Sequence, residues 1–240
     1  MPALGRAKKQ AKAVMCKANL RHWGLIFTMY VEDNGGHYPE ELGGISAGWG
    51  LALRPYYKDY NIRLCPAATK FWSDGHRGTF SAWGVFKGDT SDEGAWWAEE
   101  GAYGSYGLNG WVCYEDPAFT YGSIDIRNNW GTPNVKRAAY IPLFLDCGWV
   151  DGWPESFDDP PEYDGEIGEY NVQAMKQFCM NRHDEHTNGL FVDCSVRQVG
   201  VKEFWTLKWH RWFRTDDPWT KAGGVTPGLW PLWMRKFEEY

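Results

Sequence analysis

The sequence predicts an α+β protein in which one long N-terminal helix packs on an antiparallel β-sheet with long loops. Residues 1–32 carry a helical repeat of apolar side chains, and residues 190–199 are typical of two strands joined by a tight turn. Aromatic residues make up 17% of the chain and accompany 28 glycines. This composition indicates aromatic, glycine-rich loops whose large rings are buried or presented for contact.

The N-terminal helix is predicted to end at Asp33-Asn34-Gly35-Gly36, a strong stop signal. The helix carries two apolar stripes. The first consists of Leu4, Ala7, Ala11, Val14 and Ala18, and the second of Cys16, Leu20, Trp23, Phe27 and Tyr30. Successive residues are about 100° apart on a helix, so the stripes lie on opposite faces and the buried face changes near residue 16. The bulky second stripe suits the chain's own core, and the small first stripe suits another helix. An ordinary amphipathic helix with an irregular pattern explains the same residues equally well.

The rest of the chain predicts one globular head, residues 33–240, without a boundary that divides it. Between residues 39 and 134, turn residues predict short strands and long loops, with a short helix at 50–57. Residues 141–146 predict a buried strand, residues 170–180 a helix, and residues 190–199 a hairpin. In the tail, residues 201–240, six tryptophans and Pro231 predict two short amphipathic helices, the second beginning at Pro231. These tryptophans suit either core and subunit contacts or a carbohydrate-binding platform.

Charge and cysteine usage exclude several classes of protein. The net charge of −6 argues against a nucleic-acid partner, because binding phosphate requires a positive field. The basic cluster consists of Arg6, Lys8, Lys9, Lys12 and Lys17, all in the N-terminal helix. There is no signal peptide and no run of about 20 apolar residues. The six cysteines lack the C-x-x-C spacing of a zinc ribbon and favour disulfides in an oxidising compartment.

A metal or catalytic site is not predicted, and the chain is interpreted as a non-enzyme without a cofactor. His183 and His186 are three residues apart, whereas a zinc-binding helix spaces two histidines by four. Calcium is the alternative, through Asp184, Glu185 and Asp193, because loop carboxylates suit a hard cation. A second acidic loop contains Asp158, Asp159, Glu162 and Asp164. No nucleophile elbow, phosphate-binding loop or dinucleotide fingerprint is present.

Several motifs, in their order along the chain, resemble one family. His183, nine residues and Asp193 match the motif called H-x9-DG, and the predicted hairpin follows it. Residues 30–39 are similar to the D-N-G-x-Y-P turn that leaves the N-terminal helix of major pseudopilins. Further likeness lies in Leu64-Cys65-Pro66 and in residues 1–4, 16–20, 104–110 and 205–210. The chain therefore resembles type II secretion pseudopilin-like and type IV pilin-like proteins of the H-x9-DG group.

The resemblance implies a pilin-like fold and a structural role. The chain is expected to be a subunit of a pilus-like or pseudopilus-like extracellular or envelope filament, a helical homo-oligomer that self-assembles without nucleic acid. Residues 1–32 would be the outer half of the family's helix, and the membrane would be reached only through an anchor segment absent from this sequence. The expected assembly contacts are Leu4, Ala7, Ala11, Val14 and Ala18. A secreted carbohydrate-binding module with exposed tryptophans is the alternative function.

The turn of the predicted hairpin departs from the family motif at the residue after Asp193. Cys194 stands where the motif has glycine, and a positive φ there would cost about 1 kcal/mol relative to glycine. A different turn or a disulfide would accommodate it. Among the fifteen ways of pairing six cysteines, the predicted disulfides are Cys16–Cys65, Cys147–Cys179 and Cys113–Cys194.

Overall fold

A long helix and two β-sheets form the α+β fold in the computed structural model, which describes residues 2–40, 48–84, 101–115, 124–168 and 172–240. The predicted N-terminal helix is confirmed as α1, Pro2–Asp33. It ends as expected: the backbone N–H of Gly36 donates to the carbonyl of Val31 at 2.9 Å, and Gly35 and Gly36 both have positive φ. Left-handed glycines after the last turn terminate a helix by satisfying its free carbonyls. None of the described helices has an apolar stretch long enough to cross a bilayer.

The second stripe of α1 attaches the helix to the head. Four of its residues are buried against the sheet, as predicted for this bulky stripe: Cys16, Leu20, Trp23 and Phe27. The glycine in the middle of the helix has a packing reason, because a Cβ atom at Gly24 would lie 3.2 Å from Leu190 Cδ1. Glycine is costly inside a helix, but here it lets the helix backbone approach the sheet closely.

The main sheet has five strands in the order β6-β4-β5-β7-β8. The strands of this sheet are β4 (Tyr106–Asn109), β5 (Pro142–Asp146), β6 (Asp151–Gly152), β7 (His186–Phe191) and β8 (Val196–Gly200). The predicted strand at 141–146 and the predicted hairpin are confirmed as β5 and β7–β8. All pairs are antiparallel except β4 with β6, which is parallel, so the sheet is mixed rather than purely antiparallel.

A small second sheet and short helices complete the head. The second sheet has the order β1-β2-β3, with strands Lys70–Phe71, Ser81–Gly84 and Tyr103–Gly104. The helix predicted at 50–57 is confirmed as α2 (Trp49–Ala52) followed by a 3-10 turn at Arg54–Tyr56. Further 3-10 turns lie at Tyr60–Arg63, Trp72–Asp74, Gly110–Val112, Ile126–Asn128, Ala138–Tyr140 and Glu203–Thr206.

Two hydrophobic cores lie on opposite faces of the main sheet. Successive side chains of a strand point to opposite faces, so Phe144 and Leu190 pack with α1, whereas Leu145 and Phe191 pack on the other side. The tail covers that second face with Trp205, Trp209 and Trp230, each at most 1% exposed. The sheet therefore separates an α1 core from a tail core.

Two predicted helical segments are wrong. The helix expected at residues 170–180 is only α3, Met175–Phe178, and residues 169–171 lie outside the described part of the chain. Gln173 has φ of 58°, a left-handed conformation that interrupts a right-handed helix. The two helices expected in the tail are replaced by the 3-10 turn at Glu203–Thr206 and isolated turns, one of them starting at Pro231.

The tail's tryptophans are held by distant partners rather than by helical repeats. The indole N–H groups of Trp205 and Trp233 donate to the carbonyls of Asp158 and Pro161, both at 2.8 Å. Among the tryptophans in the described ranges, only Trp212 is exposed. The alternative of a carbohydrate-binding surface built from a row of exposed tryptophans is thereby weakened, because the rings that would form it lie mostly in the core.

Candidate functional site

A group of buried polar side chains lies where α1 crosses the main sheet. Cys16, on the buried stripe of α1, is completely buried, and its Sγ lies 3.4 Å from Asp146 Oδ2. The hydroxyl of Tyr106, from the neighbouring strand β4, donates to Cys16 Sγ at 3.3 Å. The helix thus presents a thiol to the end of β5 rather than an inert apolar side chain.

Asp146 is the last residue of β5 and the centre of the region. Its Oδ1 accepts a hydrogen bond from Arg182 Nη1 at 3.0 Å, and its Oδ2 accepts one from the backbone N–H of Asn188 at 3.0 Å. Burying a carboxylate requires such charge-assisted partners, since an unpaired charge is strongly disfavoured away from water. Asp146 is therefore fixed in place by groups on both of its oxygens.

His183 brings an imidazole to the same carboxylate from a tight turn before β7. Its Nε2 lies 3.1 Å from Asp146 Oδ2 and 3.3 Å from Cys65 Sγ. The turn is closed by the backbone N–H of His183, which donates to the carbonyl of His186 at 2.8 Å. Asp184 and Glu185 inside the turn have positive φ, which is unusual for residues with a side chain. This strained turn aims the imidazole into the protein.

Cys65 completes the group from the loop that precedes β1. Its backbone N–H donates to Ser105 Oγ at 2.7 Å, and the N–H of Ala67 donates to its Sγ at 3.4 Å. One donor atom from each of Cys16, Cys65, Asp146 and His183 lies within 4.8 Å of the other three. We call these four residues the Cys/Asp/His cluster; in the described residues it is the one group of three or more such side chains positioned to hold a metal ion.

Arg182 supports the cluster from one side. Its fully buried guanidinium donates to Asp146 Oδ1 and to four backbone carbonyls, those of Thr79, Ser81, Ser105 and Cys147. The guanidinium has five N–H donors, and in this structure it has five acceptors. Arg182 therefore joins β2, the start of β4 and the end of β5 to the turn that carries His183.

Opposite charges set the protonation of the cluster. Burial alone would raise the pKa of Asp146, but the positive charges of His183 and Arg182 hold it well below its usual range. Burial alone would lower the pKa of His183, yet Asp146 outweighs burial and raises it to about 10. Burial also favours the neutral Cys65 thiol, but hydrogen bonds with Cys16 and His183 and the charge of Arg182 lower its pKa to about 7. Burial raises the pKa of Cys16 well above its usual value.

This chemistry suits binding better than catalysis. A thiol with a lowered pKa beside an imidazole resembles a nucleophile, but a reactive cysteine must also be reachable by its substrate. Cys16 and Cys65 both have no exposed surface. His183 borders a cleft of about 780 Å³ between α1 and the head, which Lys9, Lys12 and Lys70 also line. Of the four residues of the Cys/Asp/His cluster, His183 lines this cleft, whereas Cys16, Cys65 and Asp146 do not.

The two ends of the H-x9-D motif do different work in the structure. His183 belongs to the cluster, whereas Asp193 shapes the β7–β8 turn, where its Oδ1 accepts from the N–H and the hydroxyl of Ser195 at 3.0 and 2.6 Å. Cys194 has φ of 65°, a left-handed conformation that costs about 1 kcal/mol relative to glycine. The exposed Cys194 thiol lies 3.6 Å from Thr28 Oγ1.

The three carboxylates of the calcium alternative, Asp184, Glu185 and Asp193, lie at opposite ends of one strand. Asp184 and Glu185 precede β7 and Asp193 follows it, so the strand, about 20 Å long, separates them. Asp184 pairs instead with Lys9 of α1, Nζ to Oδ1 at 3.1 Å, at the exposed rim of the cleft. His186 also takes no part in the cluster, because its Nδ1 contacts the carbonyl of Asp184 at 2.7 Å.

The predicted disulfides are absent, because all six cysteines are free in the structure. Cys16 and Cys65 do meet, but inside the cluster with Asp146 and His183. Cys147 and Cys179 both lie in the tail core. Cys113 is buried in the α1 core, whereas Cys194 is exposed at the hairpin turn.

The predicted assembly stripe of α1 is largely open to solvent. Leu4 is 71% exposed and Val14 is 58% exposed. Ala7 and Ala11 are also exposed, and Ala18, at the junction with the head, is half-buried. The head therefore buries one stripe of the helix and leaves the other available.

The acidic loop before α3 is structural. Asp158 is buried, and its Oδ2 accepts from the N–H groups of Glu155 and Met175 at 3.1 and 3.0 Å. Asp164 accepts from the N–H of Asn181 at 2.9 Å. Burial, with a smaller contribution from Glu155 and Asp159, raises the pKa of Asp158 to about 6.

Asp158→Asn is expected to remove a pH-dependent loss of stability. The folded pKa lies above the ordinary value, so the folded state binds more protons between pH 4 and 6, and stability falls as pH rises through that window. The two-unit shift corresponds to about 3 kcal/mol. Urea unfolding from pH 4 to 7 should show a decline in the wild type that the asparagine variant lacks. Asp159→Asn, the same change at the exposed neighbour, should decline like the wild type; equal slopes in the wild type and Asp158→Asn would contradict the assignment.

Comparisons with known protein families, with curated proteins and with solved structures find no match to this chain. Fold and site thus define the molecule by class: an α+β head carried on a long N-terminal helix, with a buried Cys/Asp/His cluster at their junction.

Proposed function

We propose that the protein is a structural subunit of a pilus-like or pseudopilus-like filament outside the cell or in its envelope. Identical copies would assemble through the first stripe of α1. The observation that carries the proposal is the division of α1 into a buried stripe and an exposed one, with Leu4 71% and Val14 58% exposed. A 32-residue helix is about 48 Å long, and its N-terminal half presents this stripe uncovered by the described part of the head.

The composition of the exposed stripe suits a helical partner. Ala7 and Ala11 lie between Leu4 and Val14, so two small side chains are flanked by larger apolar ones along one face. Small residues let helices approach closely, and the larger ones fill the grooves beside them. Burying this face in a bundle of α1 helices would remove apolar surface from water, at about 25 cal/mol per Å².

The distribution of charge supports contact between copies. Through Asp33, α1 carries six basic and two acidic residues, although the whole chain has a net charge of −6. The head is therefore strongly acidic and the helix basic. Opposite charges on two surfaces steer association and select the register in which they meet.

Ala11→Asp is expected to abolish assembly, because a carboxylate on the exposed stripe would be buried in a helix bundle without a partner. Electron microscopy and sedimentation of the purified full chain should show fibres for the wild type and soluble protein for the variant. The head should stay folded by circular dichroism, since Ala11 is exposed and does not contribute to either core.

Gly5→Asp is the matched control. It adds the same charge to the opposite side of α1, at a position where a Cβ atom meets nothing within 4 Å, so fibres should persist. A wild-type protein that stays a monomer at high concentration would refute the proposed function, and equal assembly of both variants would refute the role of the stripe.

A further inference from the structure

We propose that Cys16, Cys65, Asp146 and His183 bind one divalent metal ion of the zinc class, which ties α1 to the head. The donors are two sulfurs, one imidazole nitrogen and one carboxylate oxygen, within 4.8 Å of one another. They come from α1, the loop before β1, the end of β5 and the turn before β7. The proposal stands on this cluster and does not depend on filament assembly.

The spacing of the donors fits four-coordinate binding. Zinc bonds of about 2.0–2.3 Å place the donors of a tetrahedral site about 3.3–3.8 Å apart. The Cys16 sulfur lies 3.4 Å from Asp146 Oδ2, and the Cys65 sulfur lies 3.3 Å from His183 Nε2. His183 Nε2 in turn lies 3.1 Å from Asp146 Oδ2. Small rotations of buried side chains therefore suffice to surround an ion.

The donor set selects the class of metal. Calcium and magnesium prefer oxygen ligands, whereas thiolate and imidazole together favour zinc and similar borderline ions. Four protein ligands leave no coordination position open to substrate, which is the arrangement of a structural zinc site rather than a catalytic one. The ion would hold the fold and would not perform a reaction.

The groups around the donors suit a bound cation. Tyr106 donates its hydroxyl to Cys16 Sγ at 3.3 Å, and the N–H of Ala67 points at Cys65 Sγ at 3.4 Å. These two hydrogen-bond donors stabilise a thiolate, the form of sulfur that binds a metal. Arg182 and Asn188 fix the carboxylate of Asp146. Such partners orient the ligands of metal sites and raise their affinity.

The charges balance when the ion is bound. Binding removes the proton of each thiol and the extra proton of the His183 imidazolium, all of which go to solvent, so that His183 coordinates as a neutral imidazole. Two thiolates and the Asp146 carboxylate then face the divalent ion and the buried guanidinium of Arg182. Three negative and three positive charges leave the cluster neutral, as a site removed from water requires.

Cobalt(II) is the probe that tests coordination directly. Reduced full-length protein, stripped with a chelator and titrated anaerobically with cobalt(II), should bind one ion per chain. The spectrum should show thiolate-to-cobalt charge transfer and the intense d–d bands of a tetrahedral site, and zinc should displace them. Bound zinc should also protect Cys16 and Cys65 from alkylation under partly unfolding conditions, as judged by peptide mass mapping.

Three variants separate coordination from folding. Cys65→Ser should lose the charge-transfer bands and the tight binding, whereas Cys179→Ser, which alters a buried thiol of the tail core, should keep both. Tyr106→Phe keeps the ring and all four ligands, and should weaken binding about 10–100-fold. The proposal is overturned if the reduced wild type binds no cobalt or zinc, or binds it with the same spectrum after Cys65→Ser. A Cys16–Cys65 disulfide that persists in the native protein also overturns it.

Discussion

Replacing Arg182 with methionine is expected to lower the free energy of unfolding by about 3–5 kcal/mol, because it leaves the buried Asp146 carboxylate without one of its two cationic partners. The side chains of Arg182 and Asp146 have no exposed surface, and the guanidinium also satisfies four backbone carbonyls. Methionine keeps the unbranched apolar stem of the arginine side chain, so the largest part of the loss comes from the charge and the hydrogen bonds of the guanidinium. Urea unfolding with a chelator present excludes any contribution from metal.

Arg214→Met is the matched control for this prediction. Arg214 also pairs with carboxylates, Asp216 and Asp217, at 3.2 and 3.1 Å, but its side chain is 65% exposed. Exposed ion pairs contribute about 0–1 kcal/mol. If both arginine variants lose the same stability, the assignment of Arg182 as the buried support of the cluster is wrong.

Trp23→Ala is expected to cost about 3–5 kcal/mol and to loosen α1 from the head. Trp23 is completely buried, and its ring lies 5.0 Å from that of Phe144 and 5.1 Å from that of Tyr57, measured between centroids. Its indole N–H donates to the carbonyl of Ile62 at 2.8 Å. Truncation removes the ring and leaves that carbonyl without its partner, so two costs add.

Hydrogen exchange by mass spectrometry shows where the loss falls. Amides of the second half of α1 should exchange faster in Trp23→Ala, while those of the β7–β8 hairpin should lose less protection. Trp212→Ala, which removes the same side chain where it is 75% exposed, should change stability by less than about 1 kcal/mol. Uniform loss of protection over the whole chain would show that α1 and the sheet unfold as one unit.

The elements predicted well from the sequence are those whose pattern is local. The bulky stripe with Trp23 identified the face of α1 that packs on the head, and the alternation around Asp193 identified the hairpin, because helix and strand periods depend on neighbouring residues. The prediction of two helices in the tail was wrong because the structure of the tail depends on distant residues. Trp205 and Trp233 are held by carbonyls of the 158–161 loop, and such long-range hydrogen bonds leave no period in the sequence.

The Cys/Asp/His cluster could not be predicted from spacing, because its members come from four separate segments. The sequence predicts a Cys16–Cys65 disulfide, identifies His183 only as the first residue of the H-x9-D motif, and gives Asp146 and Arg182 no role. One signal was present: Cys16 falls on the buried stripe of α1, and Asp146 ends a continuous apolar strand. A thiol and a carboxylate at buried positions indicate polar partners nearby, although they do not identify them.

The distances along the chain between the cluster's members bear on how the protein folds. Cys16 and Asp146 are 130 residues apart, and Cys65 and His183 are 118 apart. Closing loops of this length costs entropy before any contact stabilises them. Contacts between residues so far apart in sequence therefore form late, and they make folding slower. During synthesis, the last donor emerges only after more than three quarters of the chain. The junction between helix and head is thus completed late, and until then Cys16 and Cys65 remain accessible to oxidants and to wrong partners.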